Sequence, residues 1–467
     1  MVQRSAIALR SALVAGAGFL FAMLPSVRAD GEELQPFRDG ERWVALGDSI
    51  THTGSYRRFV ALYYATRFPE RRILSFNAGI AGDTAERSLP RLGIDVFPHK
   101  PTVTTVMFGM NDVGRYLYET NAQPDGQEEK RQARLDAYRN HLRKVASALR
   151  ESGTEIILLT PTPFDDTVAA SAPNAPGCNA ALARCAEIVR ETAREFDAPV
   201  IDLHAPMTTL NQDLQKADPS ASLIGSDRIH PGDPGHLVMA YLFLKAQNAP
   251  GVISDVHIDA EAGKVLKAEN AGVTGLVTDG NGISFDMAAK ALPFPVPASA
   301  EQALAIVPFT EELNREILQV SGLMPGRYAL TIDGTEVGIF ESTALAEGVP
   351  LAENARTPQH RQAMEVLALD TRRFELEKNL RVLVYVEGML GHRMVPDAPS
   401  DGFYFDAAAR ELLARPGFGG WVADQVRNYL TLKPREAELR KELANSEDAF
   451  RRAALPVSHR YILARQP

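Results

Sequence analysis

The sequence predicts a doubly wound α/β domain on a parallel five-stranded sheet, followed by a small β-rich region and a helical extension. Three observations carry this. From Trp43 to about Pro250, short runs that are apolar almost throughout alternate with amphipathic helical segments, the pattern of strands covered on both faces. After Pro250 short strands and turns replace that rhythm, and after Thr357 the chain becomes long, charged and helical. The length, 467 residues of which 45% are apolar and 23% charged, gives room for two or three domains with full cores. With 34 Gly, 30 Pro and 2 Cys, the composition excludes collagen-like, disordered and disulfide-scaffold classes. A net charge of -9 with no basic block excludes an electrostatic nucleic-acid surface.

Taken in order, residues 1–29 carry Arg4 and Arg10, an apolar run from Ser11 to Leu24, and Val27-Arg28-Ala29 before Asp30. A basic start, an apolar middle and a small-residue end read as a secretory signal peptide, so a secreted or periplasmic protein is expected, cleaved near Ala29. The run is shorter than the roughly 20 residues of a spanning helix. Removing Arg4, Arg10 and Arg28 would take the charge from -9 to -12. Residues 36–250 then supply five strands: Trp43 to Leu46, Arg72 to Phe76, Val103 to Phe108, Glu155 to Leu159 and Pro199 to Leu203. The intervening helices are Tyr56 to Arg67, Ala85 to Val96, Glu128 to Arg150, Asn179 to Phe196 and Asp233 to Gln247. Cys178 and Cys185, seven apart at the start and middle of the fourth of these, are about 10 Å apart along a helix unless Cys178 sits in the preceding loop, which favours two buried thiols over a bridge. Residues 251–345 read as a small β-rich or mixed region, with turns at Ala262-Gly263 and Asp279-Gly280 and a hairpin at Asp333-Gly334. Residues 346–467 read as helical, bracing the catalytic half.

The chemistry gathers at strand ends of the first half. Gly47-Asp48-Ser49-Ile50 follows the first strand, where open α/β sheets bind their ligands. Asp227-Arg228-Ile229-His230 lies in the loop before the last helix of that half. An Asp three residues before a His can fix the imidazole tautomer and leave its other nitrogen for a serine hydroxyl. Asn77-Ala78-Gly79 and Gly109-Met110-Asn111-Asp112 follow the second and third strands. A glycine N–H and an Asn amide there are suitable donors to an oxyanion. Each residue also has an ordinary use: Gly-Asp-Ser as a turn, Asp83 or Asp112 as a helix cap, Gly79 as a positive-φ position. Only their joint placement favours catalysis. No His or Cys spacing reads as a metal site.

These four blocks, in this order and each at a strand end, resemble the SGNH hydrolases, also called GDSL-type esterases, over about residues 36–250. The resemblance implies a flavodoxin-like sheet and hydrolysis of esters or thioesters without a cofactor. It assigns Ser49 as nucleophile, His230 as base and Asp227 as its orienter, with Ser49 N–H, Gly79 and Asn111 as the oxyanion hole. Asp48, His52, Asp83 and Asp112 are expected to border the substrate. An exported acidic chain suits removal of O-acetyl or other short acyl groups from a carbohydrate, small or polymeric. Two other readings stay open: a lysophospholipase or thioesterase acting on lipid, and a non-catalytic carbohydrate-binding envelope protein. No nucleic-acid partner and no membrane insertion after cleavage are expected, and oligomeric state is not legible.

Overall fold

The structure, a computed structural model, describes residues 33–119, 126–393 and 402–467. The segment read as a signal peptide lies outside the described residues. Among these residues no helix is long and apolar enough to cross a membrane.

The five expected strands form one sheet: β1 (Arg42–Gly47), β2 (Leu74–Gly79), β3 (Val103–Met107), β4 (Glu155–Leu159) and β5 (Val200–Ile201). All neighbours are parallel, in the order β2-β1-β3-β4-β5. Because β1 and β3 are buried along nearly their whole length, every side chain there must be apolar or paired, which is why these strands read as continuous apolar runs. Gly47 lies opposite both Gly79 and Met107. The chain therefore leaves β1, β2 and β3 at one common edge, which brings three of the four blocks together.

Six helices cover the sheet: α1 (Ser49–Thr53), α2 (Ser55–Arg67), α3 (Gln127–Glu151), α4 (Cys178–Glu195), α5 (His204–Ala217) and α6 (Asp233–Ala246). Sequence reading missed α1 and α5. The first is little more than a turn, and the second starts directly after β5. Between β2 and β3 the expected single helix is broken into Ala85–Ser88 and Leu92–Asp95, with Pro90 at the junction. Phe37, Trp43, Tyr64 and Phe243 pack ring against ring under the sheet. Cys178 and Cys185 are free and buried, with burial pushing the Cys178 thiol up to about 12.

Beyond α6, two further sheets stack. One has the order β13-β10-β6-β7, from β6 (Val252–Asp259), β7 (Lys264–Glu269), β10 (Arg315–Ser321) and β13 (Val349–Pro350). The other is β12-β11-β14-β9-β8, from β8 (Ala271–Thr278), β9 (Gly282–Ala289), β11 (Arg327–Ile332), β12 (Thr335–Glu341) and β14 (His459–Arg465). The Asp333-Gly334 hairpin joins β11 to β12, both turn residues at positive φ (47° and 77°), as a primed two-residue turn requires. Val256, Ile258, Phe285, Leu330, Tyr461 and Leu463 form the core between the two sheets.

The helices α7 (Pro358–Arg393), α8 (Gly402–Leu413), α9 (Gly420–Leu432) and α10 (Glu436–Ala453) follow. One expectation needs correcting: the segment 346–467 is not helical throughout. Its last strand, β14, returns to pair antiparallel with β9 and β11. Tyr461 and Leu463 are buried while Ile462 is exposed, a period-two signal too short to stand out beside the helices before it.

Candidate active site

Ser49 follows β1 as the first residue of α1, and Asp48 caps that helix by accepting the Ile50 N–H at 3.0 Å. An N-terminal helical residue has no intrahelical partner for its own N–H, so the Ser49 amide is available beside its hydroxyl. The hydroxyl Oγ lies 2.7 Å from His230 Nε2, and His230 Nδ1 lies 2.5 Å from Asp227 Oδ2. The other Asp227 oxygen accepts the Ile229 and His230 N–H groups, each at 3.0 Å. Burial alone would raise the Asp227 carboxyl, but these bonds from the His230 ring and the loop backbone outweigh it and hold the group below its usual range. Asp227 therefore stays ionised and fixes Nδ1 as the protonated ring nitrogen, leaving Nε2 to accept from Ser49.

A buried arginine inside the motif builds the loop. Arg228 takes φ 66°, and its guanidinium donates to the carbonyls of Asp165, Val168, Ala170 and Ala172. The loop 165–172 is thus tied beneath the histidine turn, while the Asp227 and His230 side chains stay about half exposed (48% and 41%).

The oxyanion donors differ from the expectation at one position. Asn111 Nδ2 donates to the Asp83 carbonyl at 2.9 Å while Arg115 holds the Asn111 Oδ1 at 3.2 Å. The amide is thereby oriented with its second N–H uncommitted. Gly79 does not fit its assigned role: its N–H donates to Asn77 Oδ1 at 2.8 Å and is buried. Gly79 is needed for space instead, because a Cβ there would lie 2.2 Å from the His52 nitrogen. Gly82, three residues on, has φ 76°, an exposed backbone and open space beside its Cα. Among the described residues nothing accepts its N–H, and the adjoining Asp83 carbonyl is the group that Asn111 holds. Gly82 was legible in the sequence as part of Gly82-Asp83-Thr84, but only hydrogen bonding separates it from Gly79.

Three of the four expected substrate neighbours are scaffold. Asp48, Asp83 and Asp112 are buried (2%, 3% and 5% exposed), and each accepts at least one hydrogen bond from the fold. Asp112 accepts from the Ala85 and Gly109 N–H groups, and Asp83 binds Arg91 at 2.7 Å. Burial, reinforced by the neighbouring Asp112 and Asp83 charges, raises Asp48 to about 7, and burial raises Asp112 to about 7 as well. His52 alone of the four is only partly buried. Its Nδ1 faces the Gly79 carbonyl at 3.2 Å, and burial together with the Arg381 charge lowers it to about 4, so it is neutral. No group of His, Cys, Asp and Glu among the described residues is arranged to hold a metal ion.

The family model of GDSL-like lipases and acylhydrolases matches residues 45–238, which contain all four blocks. A solved structure, BT4096, a gut microbial diltiazem-metabolizing enzyme, is 33% identical and covers 93% of this chain and 99% of its own, with a TM-score of 0.86. The chain belongs to the GDSL-like lipase/acylhydrolase family. A curated acetylxylan esterase from Geobacillus stearothermophilus is 26% identical over 221 residues, 44% of this chain and 93% of the relative. A solved acetylxylan esterase from that organism, Axe2, is 26% identical over 45% of this chain and 95% of its own, with a TM-score of 0.37. As a GDSL-like hydrolase the protein is a carboxylic ester hydrolase, and the non-catalytic reading is set aside. The match to BT4096 extends through the C-terminal half, so this GDSL-like hydrolase shares its extension with at least one relative.

Proposed function

We propose that this hydrolase removes O-acetyl and other short acyl groups from carbohydrate through an acyl-enzyme on Ser49. The observation that carries the mechanism is the Ser49–His230–Asp227 chain of contacts at 2.7 and 2.5 Å. As Ser49 Oγ attacks the ester carbonyl, its proton passes to His230 Nε2, and Asp227 stabilises the resulting imidazolium. The developing oxyanion is met by the Ser49 N–H, the free Asn111 N–H and the Gly82 N–H. His230 then gives its proton to the departing alkoxide, which leaves as the alcohol with the acyl group on Ser49. Water attacks that ester with its proton passing to Nε2, and collapse releases the carboxylic acid and restores the serine.

The acetylxylan esterase relative supports an acetylated sugar as substrate. The export-like N-terminus supports a site of action outside the cytoplasm, and the acidic charge suits a neutral sugar ester better than an anionic lipid surface. The test is acetate release from acetylated xylan and xylo-oligosaccharides, compared with p-nitrophenyl esters of two to eight carbons. Diltiazem belongs in the same screen because BT4096 metabolises it. Turnover restricted to long acyl chains would overturn the carbohydrate reading in favour of the lipid one.

A further inference from the structure

We propose that Trp421, backed by Tyr385, is a stacking wall for the ring-bearing alcohol of the ester, a substrate subsite supplied by the C-terminal helices. The proposal rests on Ser49 being the nucleophile. Ser49 and His52 stand three residues apart on α1, which puts their Cβ atoms about 5–6 Å apart on one side of the turn. The His52 ring lies 5.9 Å from Tyr385 and 6.4 Å from Trp421, and those two lie 5.3 Å from each other. Three rings from α1, α7 and α9 thus meet at His52, one turn of α1 from the nucleophile.

Their exposure separates their roles. Tyr385 is buried (8%), whereas Trp421 is 48% exposed. An exposed indole packed on the residue one helical turn from a reactive serine presents a large apolar surface toward the site. Both ring contacts of Trp421 are steep, at 75° and 62°. No described ring stacks parallel on it, and with 48% of the residue exposed part of the indole is open to a ligand. His52 is neutral, as above, so it does not hold that face as a cation. An acetyl group is too small to fill such a wall, so the ring it suits belongs to the alcohol. Sugar rings offer a C–H face and aryl groups a π face, and both stack on indole.

Three esters decide the matter: acetylated xylobiose, 1-naphthyl acetate and ethyl acetate. In W421A, kcat/KM for a ring-bearing ester relative to ethyl acetate is expected to fall roughly ten- to a hundredfold, the scale of one lost aromatic stack. W421F is expected to recover most of it. A fall for xylobiose alone assigns the wall to sugars, and a fall for the naphthyl ester alone assigns it to aryl alcohols. An unchanged ratio for both esters, with the thermal midpoint preserved, overturns the proposal. A second readout does not need turnover. Of the 2 tryptophans, Trp43 is fully buried, so a change in emission when S49A is titrated with acetylated xylobiose reports on Trp421. If the wild type cleaves none of the three esters, the Ser49 reading fails, and the titration alone judges the wall. A saturable change absent from W421F/S49A supports it, and no change overturns it.

Discussion

Asp227 controls the site through one proton. Because its carboxylate holds His230 Nδ1 at 2.5 Å, Nε2 is left as acceptor, whereas an Asn in that place can offer its amide and favour the opposite tautomer. Asp227→Asn is expected to lower kcat by roughly 10⁴ with the fold unchanged, measured as steady-state hydrolysis beside a thermal melt. His236 shows a residue acting on stability alone. It is buried against Tyr56 at 6.2 Å, its Nδ1 has no hydrogen-bond partner among the described residues, and burial lowers it from 6.5 to about 4. The folded state therefore resists protonating it, so its stabilising contribution is full above pH 6.5 and is lost as pH falls toward 4. His236→Phe is expected to flatten the decline in thermal midpoint between pH 7 and 4.5, an effect on the order of 2–3 kcal/mol across the whole window. At this scale Ser49, Asp227, His230 and Asn111 were legible because their blocks fall at strand ends or just before a helix, in the order the resemblance requires. Gly79 and Gly82 were not distinguishable, since choosing between them requires knowing where each N–H points.

The element that most alters the picture is α7. Its Arg381 donates to the Gly79 carbonyl at 2.9 Å and to both Asp95 oxygens at 2.5 Å. Asp95 in turn binds Arg91, and Arg91 binds Asp83, whose carbonyl holds Asn111. A buried chain of alternating charge thus runs from the C-terminal helix to the oxyanion donors. Further along, Asp370 meets Arg58 at 2.5 Å and Glu377 meets Arg57. Arg381→Met would leave Asp95 buried beside only one arginine. Removing one partner of a buried pair costs about 3–5 kcal/mol, so a lower thermal midpoint is expected together with a fall in kcat larger than any change in KM. An unchanged midpoint and kcat would contradict this. The helicity of α7 was readable from its charged periodic sequence. Its target was not, because pairs separated by some three hundred positions, such as Arg381 with Asp95, leave no local pattern.

For the whole molecule, one core runs through both halves. Leu292, Phe294, Phe309, Ala363, Val366 and Phe450 belong to the same buried cluster as Trp43, Val44 and Leu244. Each large apolar side chain bared by truncation costs about 1.5–3 kcal/mol, so residues 36–250 alone are expected to aggregate or to melt without cooperativity, as followed by near-ultraviolet dichroism and gel filtration. A folded, fully active fragment would refute the bracing role of the C-terminal half. The five parallel strands and the edge holding the chemistry followed from apolar strands alternating with helices. The two stacked sheets were only partly readable, since β14 finds its partners β9 and β11 far back in the chain. The central claim is that Ser49, activated by His230, performs the hydrolysis. Acetate release from acetylated xylo-oligosaccharide by the wild type and by Ser49→Ala tests it most directly. A loss of roughly four to six orders of magnitude with the melting curve preserved is the result expected, and a variant that releases acetate at the wild-type rate would contradict it.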